Sequence, residues 1–184
     1  MSVKVLGIAG SLRKGSYNKL VLRAAVELKP VDMEIENFDI APIPLYDEDV
    51  REQGFPKAVE ELREKIRAAD ALLIVTPEYN YSMPGVLKNA IDWASRPPSQ
   101  PFDDKPVAIM GASTSRLGTA RAQYHLRQTA VFLNMHLINK PEVMLSGAAS
   151  AFDAAGRLTD EGARKLIAEL LMNLADWTAR LKPK

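Results

Sequence analysis

Apolar residues recur along this chain in two alternating rhythms. Short apolar runs that read as strands are separated by stretches where apolar residues return every three or four positions, the period of one helix face. The first run is Val3 to Ala9, and residues 17–29 then carry Leu20, Val21, Ala24, Ala25 and Leu28 on one side. Met33 to Phe38 alternates as a second strand, and Ala41-Pro42-Ile43-Pro44-Leu45 reads as a loop. Residues 55–69 place Val59, Leu62, Ile66 and Ala69 on one helical face. Ala71 to Thr76 is continuously apolar, the expected form of a central parallel strand. Pro84 opens a third helix at a tolerated first-turn position, and Pro97-Pro98 ends the segment after it. Val107 to Ala112 is a fourth strand, residues 118–132 a fourth helix, and a fifth strand lies between Met135 and Leu145. The last helix holds Ala163, Leu166, Ile167, Leu170, Leu171, Leu174, Trp177 and Leu181 at spacings of three and four. Asp160 and Glu161 in its first turn, and Arg180, Lys182 and Lys184 at its end, complement the helix dipole.

Five strands alternating with five helices predict an α/β fold with a parallel sheet covered on both faces. The natural arrangement is a flavodoxin-like three-layer sandwich, strand order 2-1-3-4-5, in one domain spanning residues 1–184. In such a sheet a ligand lies at the carboxyl ends of the strands, near the switch point between strands one and three.

Composition narrows the function by exclusion. A net charge of +1 without a basic stripe argues against nucleic acid as a partner. No apolar run approaches the ~18 residues of a membrane span, and the strand-like start lacks a signal core, so the cytoplasm is the expected location. The absence of cysteine excludes disulfides, thiol nucleophiles and cysteine-ligated metals. The two histidines, His125 and His136, belong to no cluster with metal-ligand spacing. Asp103-Asp104 reads as a turn, and Glu60 and Glu61 as a solvated helix face. Arg121 and Tyr124 share a helix face, as a surface pair or as a contact for a partner subunit or acceptor.

The chemistry sits in the loops after strands one and three. Residues 10–18 read GSLRKGSYN between a strand and a helix start, where unpaired N–H groups and the dipole attract an anion. Gly7, Gly10 and Gly15 do not have dinucleotide spacing, and no GK[ST] triplet follows. Hydrogen bonds from Ser11, Ser16 and Asn18 with one charge from Arg13 suit a single terminal monophosphate such as that of FMN. The alternative is a serine-rich turn with Ser16 as helix cap. The second loop, Thr76-Pro77-Glu78-Tyr79-Asn80-Tyr81-Ser82-Met83-Pro84-Gly85, is stiffened by two prolines and offers two flat tyrosines. It suits a planar heterocycle such as isoalloxazine; alternatively the tyrosines pack internally or face a partner chain.

Together GSLRKGSYN and PEYNYSMPGVLKNAIDW resemble the NADPH-dependent FMN reductase family, and within it the bacterial quinone and chromate reductase branch. The likeness continues through Ala120-Arg121-Ala122-Gln123-Tyr124-His125-Leu126-Arg127-Gln128 and Asn139-Lys140-Pro141-Glu142. The resemblance implies that Ser11, Leu12, Arg13, Ser16, Tyr17 and Asn18 wrap the FMN phosphate. It further implies that Pro77, Glu78, Tyr79 and Asn80 line the ring and that Ser113 meets its polar edge. It implies NADPH or NADH as hydride donor, and quinones, chromate, azo compounds or free flavin as acceptors in a ping-pong cycle, with no catalytic side chain. One departure is Thr114-Ser115-Arg116-Leu117-Gly118-Thr119, where relatives carry a glycine-rich segment; Arg116 there bears on access to the flavin or to a nicotinamide phosphate. Relatives form dimers and some tetramers, and Tyr81, Trp93 and the helix from Pro84 to Asp92 follow the flavin loop, so a homodimer or homotetramer is expected. A flavodoxin-like electron carrier is the alternative, disfavoured by the near-zero charge, since carriers use an acidic face. A phospho-receiver needs an aspartate at the end of strand three, where this chain has Thr76-Pro77.

Overall fold

The computed structural model describes residues 2–181; Lys182 and Lys184, expected at the end of the last helix, lie outside them. Strands β1 (Val3–Ala9), β2 (Met33–Phe38), β3 (Ala71–Val75) and β4 (Pro106–Ala112) pair in parallel in the order β2-β1-β3-β4. The expected fifth strand is split into β5 (His136–Leu137) and β6 (Val143–Leu145), both pairing with β4. Pro141 lies between them and has no N–H to give a ladder, so pairing stops and resumes. The strand order is therefore the expected one, with its last row in two pieces.

The helices are α1 (Tyr17–Leu28), α2 (Glu48–Glu52), α3 (Lys57–Ala68), α4 (Gly85–Ala94), α5 (Ala120–Phe132) and α6 (Glu161–Leu181). Helix α2 is a single short turn with no buried residue and hence no apolar stripe to announce it; the Asp47 side chain caps it through the Asp49 N–H. The side chain of Asp160 likewise caps α6 through the Ala163 N–H at 2.7 Å.

Alternation along the central strands sorts the core into two layers. Val5, Ala9, Leu73, Val75, Ala108 and Met110 meet α1 and α6, whereas Leu6, Ile8, Leu72, Ile74, Val107 and Ile109 meet α3, α4 and α5. Strand β3 is buried on both faces throughout, which explains its unbroken apolar run. Each large side chain buried this way contributes roughly 1.5–3 kcal/mol.

Register turns this packing into a site. Ala9 pairs with Val75, and Val75 with Met110, so β1 and β3 leave the sheet at Gly10 and Thr76 beside Gly111 of β4, which stays paired with β6 through Ala112 and leaves at Ser113. Hydrogen bonds from the Gly10 N–H to Val75 O (2.8 Å) and from the Thr76 N–H to Met110 O (2.9 Å) hold the loops together for one further residue.

Candidate functional site

The three exits build one sheet edge from separate pieces. A side chain at Gly10 would press on Leu87 at 3.0 Å. At Gly111 the obstruction is larger, because a Cβ there would lie 2.2 Å from both Thr76 O and Thr119 Oγ1. Only a residue without a side chain lets β4 pass so close to the loop after β3.

The first loop, Ser11 to Ser16, ends at the start of α1. Ser16 occupies the N-cap position with extended backbone, yet its hydroxyl makes no capping bond. Ser11 is 3% exposed and Ser16 4% exposed, and neither hydroxyl has a partner among the described residues. The first intrahelical bond runs from the Leu20 N–H to Ser16 O at 3.1 Å, so the N–H groups before it face the loop unpaired. Arg13 and Lys14 are exposed and carry no ion pair among the described residues. Two partnerless hydroxyls on mostly buried serines, a helix start and two free cations lie together, a combination suited to an anion. The reading of Ser16 as an ordinary cap is not what the geometry shows.

The other first-loop residues contribute differently. The Asn18 side chain donates to Ala112 O and accepts from the Ala112 N–H, both at 2.9 Å, tying α1 to the end of β4. The Tyr17 ring stacks on Phe152 with centroids 5.8 Å apart. What these two offer the loop is therefore their backbone N–H groups at the helix start. Leu12 leaves a little under half of its surface in solvent.

In the second loop, Tyr79 and Ser82 exchange backbone hydrogen bonds at 2.9 and 3.0 Å across Asn80-Tyr81. Both central residues have positive φ, 51° and 63°, so the hairpin tip is a left-handed two-residue turn. A tyrosine there costs on the order of 1–3 kcal/mol and persists only where its surroundings hold it. Helix α5 does the holding. The Arg121 guanidinium lies 3.8 Å from the Tyr81 ring centroid, and the Ser82 hydroxyl meets His125 Nδ1 at 2.9 Å. Glu78 turns inward: its Oε2 accepts from the N–H groups of Arg121 (2.9 Å) and Ala122 (3.1 Å), and its Oε1 lies 3.5 Å from Arg121 Nη1. Its side chain thus caps α5, Pro77 is buried, and the loop's outer surface is left to the exposed Tyr79 and Asn80.

Ser113 follows β4 at the third exit. Its N–H donates to Leu145 O (2.9 Å), its carbonyl accepts from the Ala148 N–H (3.1 Å), and its hydroxyl accepts from the Ser115 N–H (3.1 Å). The site residues expected on three distant stretches, Ser11 to Asn18, Pro77 to Asn80 and Ser113, thus share one sheet edge.

Several expectations about neighbouring residues change. Trp93 is fully buried, edge-on to Tyr46 at 4.8 Å, and donates through Nε1 to Pro44 O at 2.9 Å; it packs the interior and cannot face a partner subunit. Arg121 and Tyr124 do not act as a pair: Arg121 serves Glu78 and Tyr81, whereas the Tyr124 hydroxyl donates to Glu142 at 3.0 Å, which raises its pKa. His136 meets Asp104 at 3.0 Å at the amino ends of the strands, far from the site. Among the described residues no group of three metal-ligating side chains comes together, and no helix is long and apolar enough to cross a membrane.

Sequence reasoning missed Arg63. It is 3% exposed, and its guanidinium donates to the carbonyls of Ala94 (2.6 Å), Arg96 (2.6 Å) and Pro98 (2.5 Å) and more weakly to Ser99 (3.4 Å), beneath the Phe55 ring at 4.2 Å. Burial lowers its pKa, with help from Arg67 and Arg51. The signal available was a lone arginine on the apolar face of α3, between Leu62 and Ile66.

Known proteins share this sequence pattern and fold. The sequence model of the NADPH-dependent FMN reductase family matches residues 3–150. A Pseudomonas aeruginosa protein named as an NAD(P)H-dependent FMN reductase is 66% identical over 180 residues, covering 98% of this chain and 97% of that one. A quinone reductase of Escherichia coli is 48% identical over 183 residues, with 98% and 97% covered. The solved structure of FerB, a flavoenzyme NAD(P)H:(acceptor) oxidoreductase from Paracoccus denitrificans, superposes with a TM-score of 0.88 at 34% identity, covering 97% of this chain and 98% of that one. With identity this high along nearly the whole chain and the family pattern spanning all three loops, the chain belongs to the NADPH-dependent FMN reductase family.

Proposed function

We propose that this oxidoreductase binds FMN at the carboxyl edge of its sheet, takes hydride equivalents from NADPH or NADH, and reduces quinones and similar small acceptors. The observation that carries the reading is the pair of sheltered, unpartnered hydroxyls of Ser11 and Ser16 at the start of α1, a cradle fitted to a phosphate monoester. The phosphate would be held by Ser11 and Ser16, by backbone N–H groups from Leu12 to Asn18, and by the Arg13 charge. Pro77, Tyr79 and Asn80 would supply the wall for the ring, with Glu78 contributing backbone and fixing the wall to α5. Ser113 would meet the ring's polar edge.

FMN, when bound, supplies the two-electron chemistry that links a nicotinamide donor to an acceptor. The chain's task is to bind, orient and shield. Its rigid hairpin keeps one wall fixed while donor and acceptor use the same exposed surface in turn, a ping-pong order. Backbone N–H groups of the loop after β4 other than those of Ser113 and Ser115, which are already paired, would favour negative charge on the ring's polar edge. No side chain is required as nucleophile or proton relay. Chromate, azo compounds and free flavin belong to the same acceptor class, because a solvent-open site selects by redox chemistry more than by shape.

The protein is proposed to act as at least a homodimer. Val131 (80% exposed) and Phe132 (85% exposed) leave apolar surface on α5, the helix that carries the Tyr81 contact. A fully active monomer by light scattering would remove this part.

The test of the main reading is a visible spectrum of the purified protein before and after anaerobic NADPH. A flavin band that bleaches is expected. A protein that takes up no FMN, or whose flavin stays oxidised with both nucleotides, refutes it.

A further inference from the structure

We infer that Arg116 is the group that selects NADPH over NADH, by pairing with the 2′-phosphate of the donor; the inference rests on the functional reading above. Arg116 and Leu117 are the central residues of a β-turn closed by the Gly118 N–H donating to Ser115 O at 3.3 Å. The base of that turn is fixed from several sides. The Ser115 N–H donates to Ser113 Oγ at 3.1 Å, the Ser115 hydroxyl donates to Gly118 O at 3.2 Å, and Ser113 is tied to Leu145 and Ala148. Gly118 has φ +56, and a Cβ there would lie 2.7 Å from Met144 O, so the turn sits close against β6. A small, braced turn therefore presents two exposed side chains at the exit of β4.

Arg116 itself is unused. It makes no hydrogen bond, ion pair or ring contact among the described residues. Most other arginines are tied to carbonyls or carboxylates, as Arg23, Arg51, Arg63, Arg67, Arg127 and Arg157 show. Arg13 and Arg180 are the exceptions, and Arg180 lies at the end of α6. Two free guanidinium groups thus stand at the functional edge, one on each side of β3. β1 and β4 are two strand spacings apart, about 10 Å. The cradle at α1 already holds two sheltered hydroxyls and Arg13, which leaves Arg116 for a second anion. Leu117 beside it leaves half its surface in solvent, apolar area suited to a purine or ribose face. A cation next to an apolar side chain fits an adenosine 2′-phosphate better than a bare inorganic anion. Glu78, the acid of the neighbouring loop, is occupied by α5 and does not neutralise Arg116.

The test uses the FMN-loaded protein and its Arg116→Gln and Arg116→Lys variants. Three quantities are measured: the ratio of kcat/KM for NADPH to that for NADH, the affinities for 2′,5′-ADP and 5′-AMP by calorimetry, and the FMN dissociation constant. The wild type is expected to prefer NADPH and 2′,5′-ADP. Arg116→Gln should lower the NADPH:NADH ratio about 10- to 100-fold, the loss of one charge-assisted contact, and bring the two nucleotides to similar affinity. Arg116→Lys should keep part of the preference, because the charge remains. A wild type without preference, a glutamine variant that keeps it, or a glutamine variant that loses FMN instead overturns the assignment. A wild type that binds no FMN overturns the functional reading itself, which the FMN measurement detects separately.

Discussion

Glu78 joins the site loop to the helix behind it, so its removal has a calculable effect. The side chain is 9% exposed, and one of its oxygens accepts from two N–H groups of the first turn of α5. Truncation to alanine orphans those donors, at about 0.5–2 kcal/mol for a lost cap. It also removes a negative charge from the positive end of a helix, worth about 0.3–2 kcal/mol. The Arg121 contact is long, and that guanidinium is partly in solvent, so it adds at most about 1 kcal/mol after screening. Taken at the middle of each range, the sum for Glu78→Ala is about 2–3 kcal/mol, or a fall in Tm of roughly 4–12 °C for a domain of this size. Glu78→Gln keeps one acceptor and loses the charge, so about 1 kcal/mol is expected. Urea unfolding of FMN-free protein gives both values from the midpoint at constant m. FMN affinity, read by quenching of flavin fluorescence, should weaken in the same order, because the hairpin proposed as the ring wall loses its tether. An alanine variant as stable as wild type, or a glutamine variant as damaged as alanine, would refute the capping argument.

Other consequences follow from the same geometry. Ser16→Ala should weaken FMN binding about tenfold or more, the loss of a hydrogen bond to a charged group, while the FMN-free protein keeps its melting temperature because the hydroxyl has no partner there. Flavin titration and thermal melting separate the two effects, and a large loss of stability without loss of affinity would contradict the assignment. Arg63→Met should destabilise the fold by about 3–5 kcal/mol, since it leaves the carbonyls of Ala94, Arg96 and Pro98 without their donor. A shift of the urea midpoint below 1 kcal/mol equivalent would argue against a structural clamp. Asp153 accepts hydrogen bonds from the Arg157 backbone N–H and side chain, which hold its pKa below the ordinary carboxylate range. A depressed carboxyl contributes stability above the unfolded pKa and loses it as pH falls through the folded value. Asp153→Asn should therefore narrow the stability difference between pH 6 and pH 3 in urea titrations, and an unchanged acid limb would exclude that contribution.

The strand and helix pattern was legible because each buried face has a period of its own. Val5, Leu6, Ile8 and Ala9 alternate between the two cores, and the α6 stripe from Ala163 to Leu174 meets one of them. Helix α2 and the split of the last strand were not legible, because a turn with no buried face and a single proline carry little periodic signal. The anion loop was legible in residue type, since hydroxyls and amides before a helix are chemically distinctive. What each side chain does there was not. Asn18 could equally have faced the ligand, and only the position of Ala112 commits its amide to β4. Trp93 misled for the same reason, because an aromatic after a site loop fits either an interface or a core.

By itself the sequence determined the local elements, the α/β class, and which stretches hold unusual chemistry, because periodicity, turn residues and hydroxyl-rich loops act over a few residues. The tertiary structure decided which of those stretches meet. The pairing of Ala9 with Val75 and of Val75 with Met110 brings three exits to one edge, Glu78 is committed to α5, and Arg116 is left free. Contacts between residues tens of positions apart depend on strand register and helix packing, and those are set by the whole core rather than by any segment.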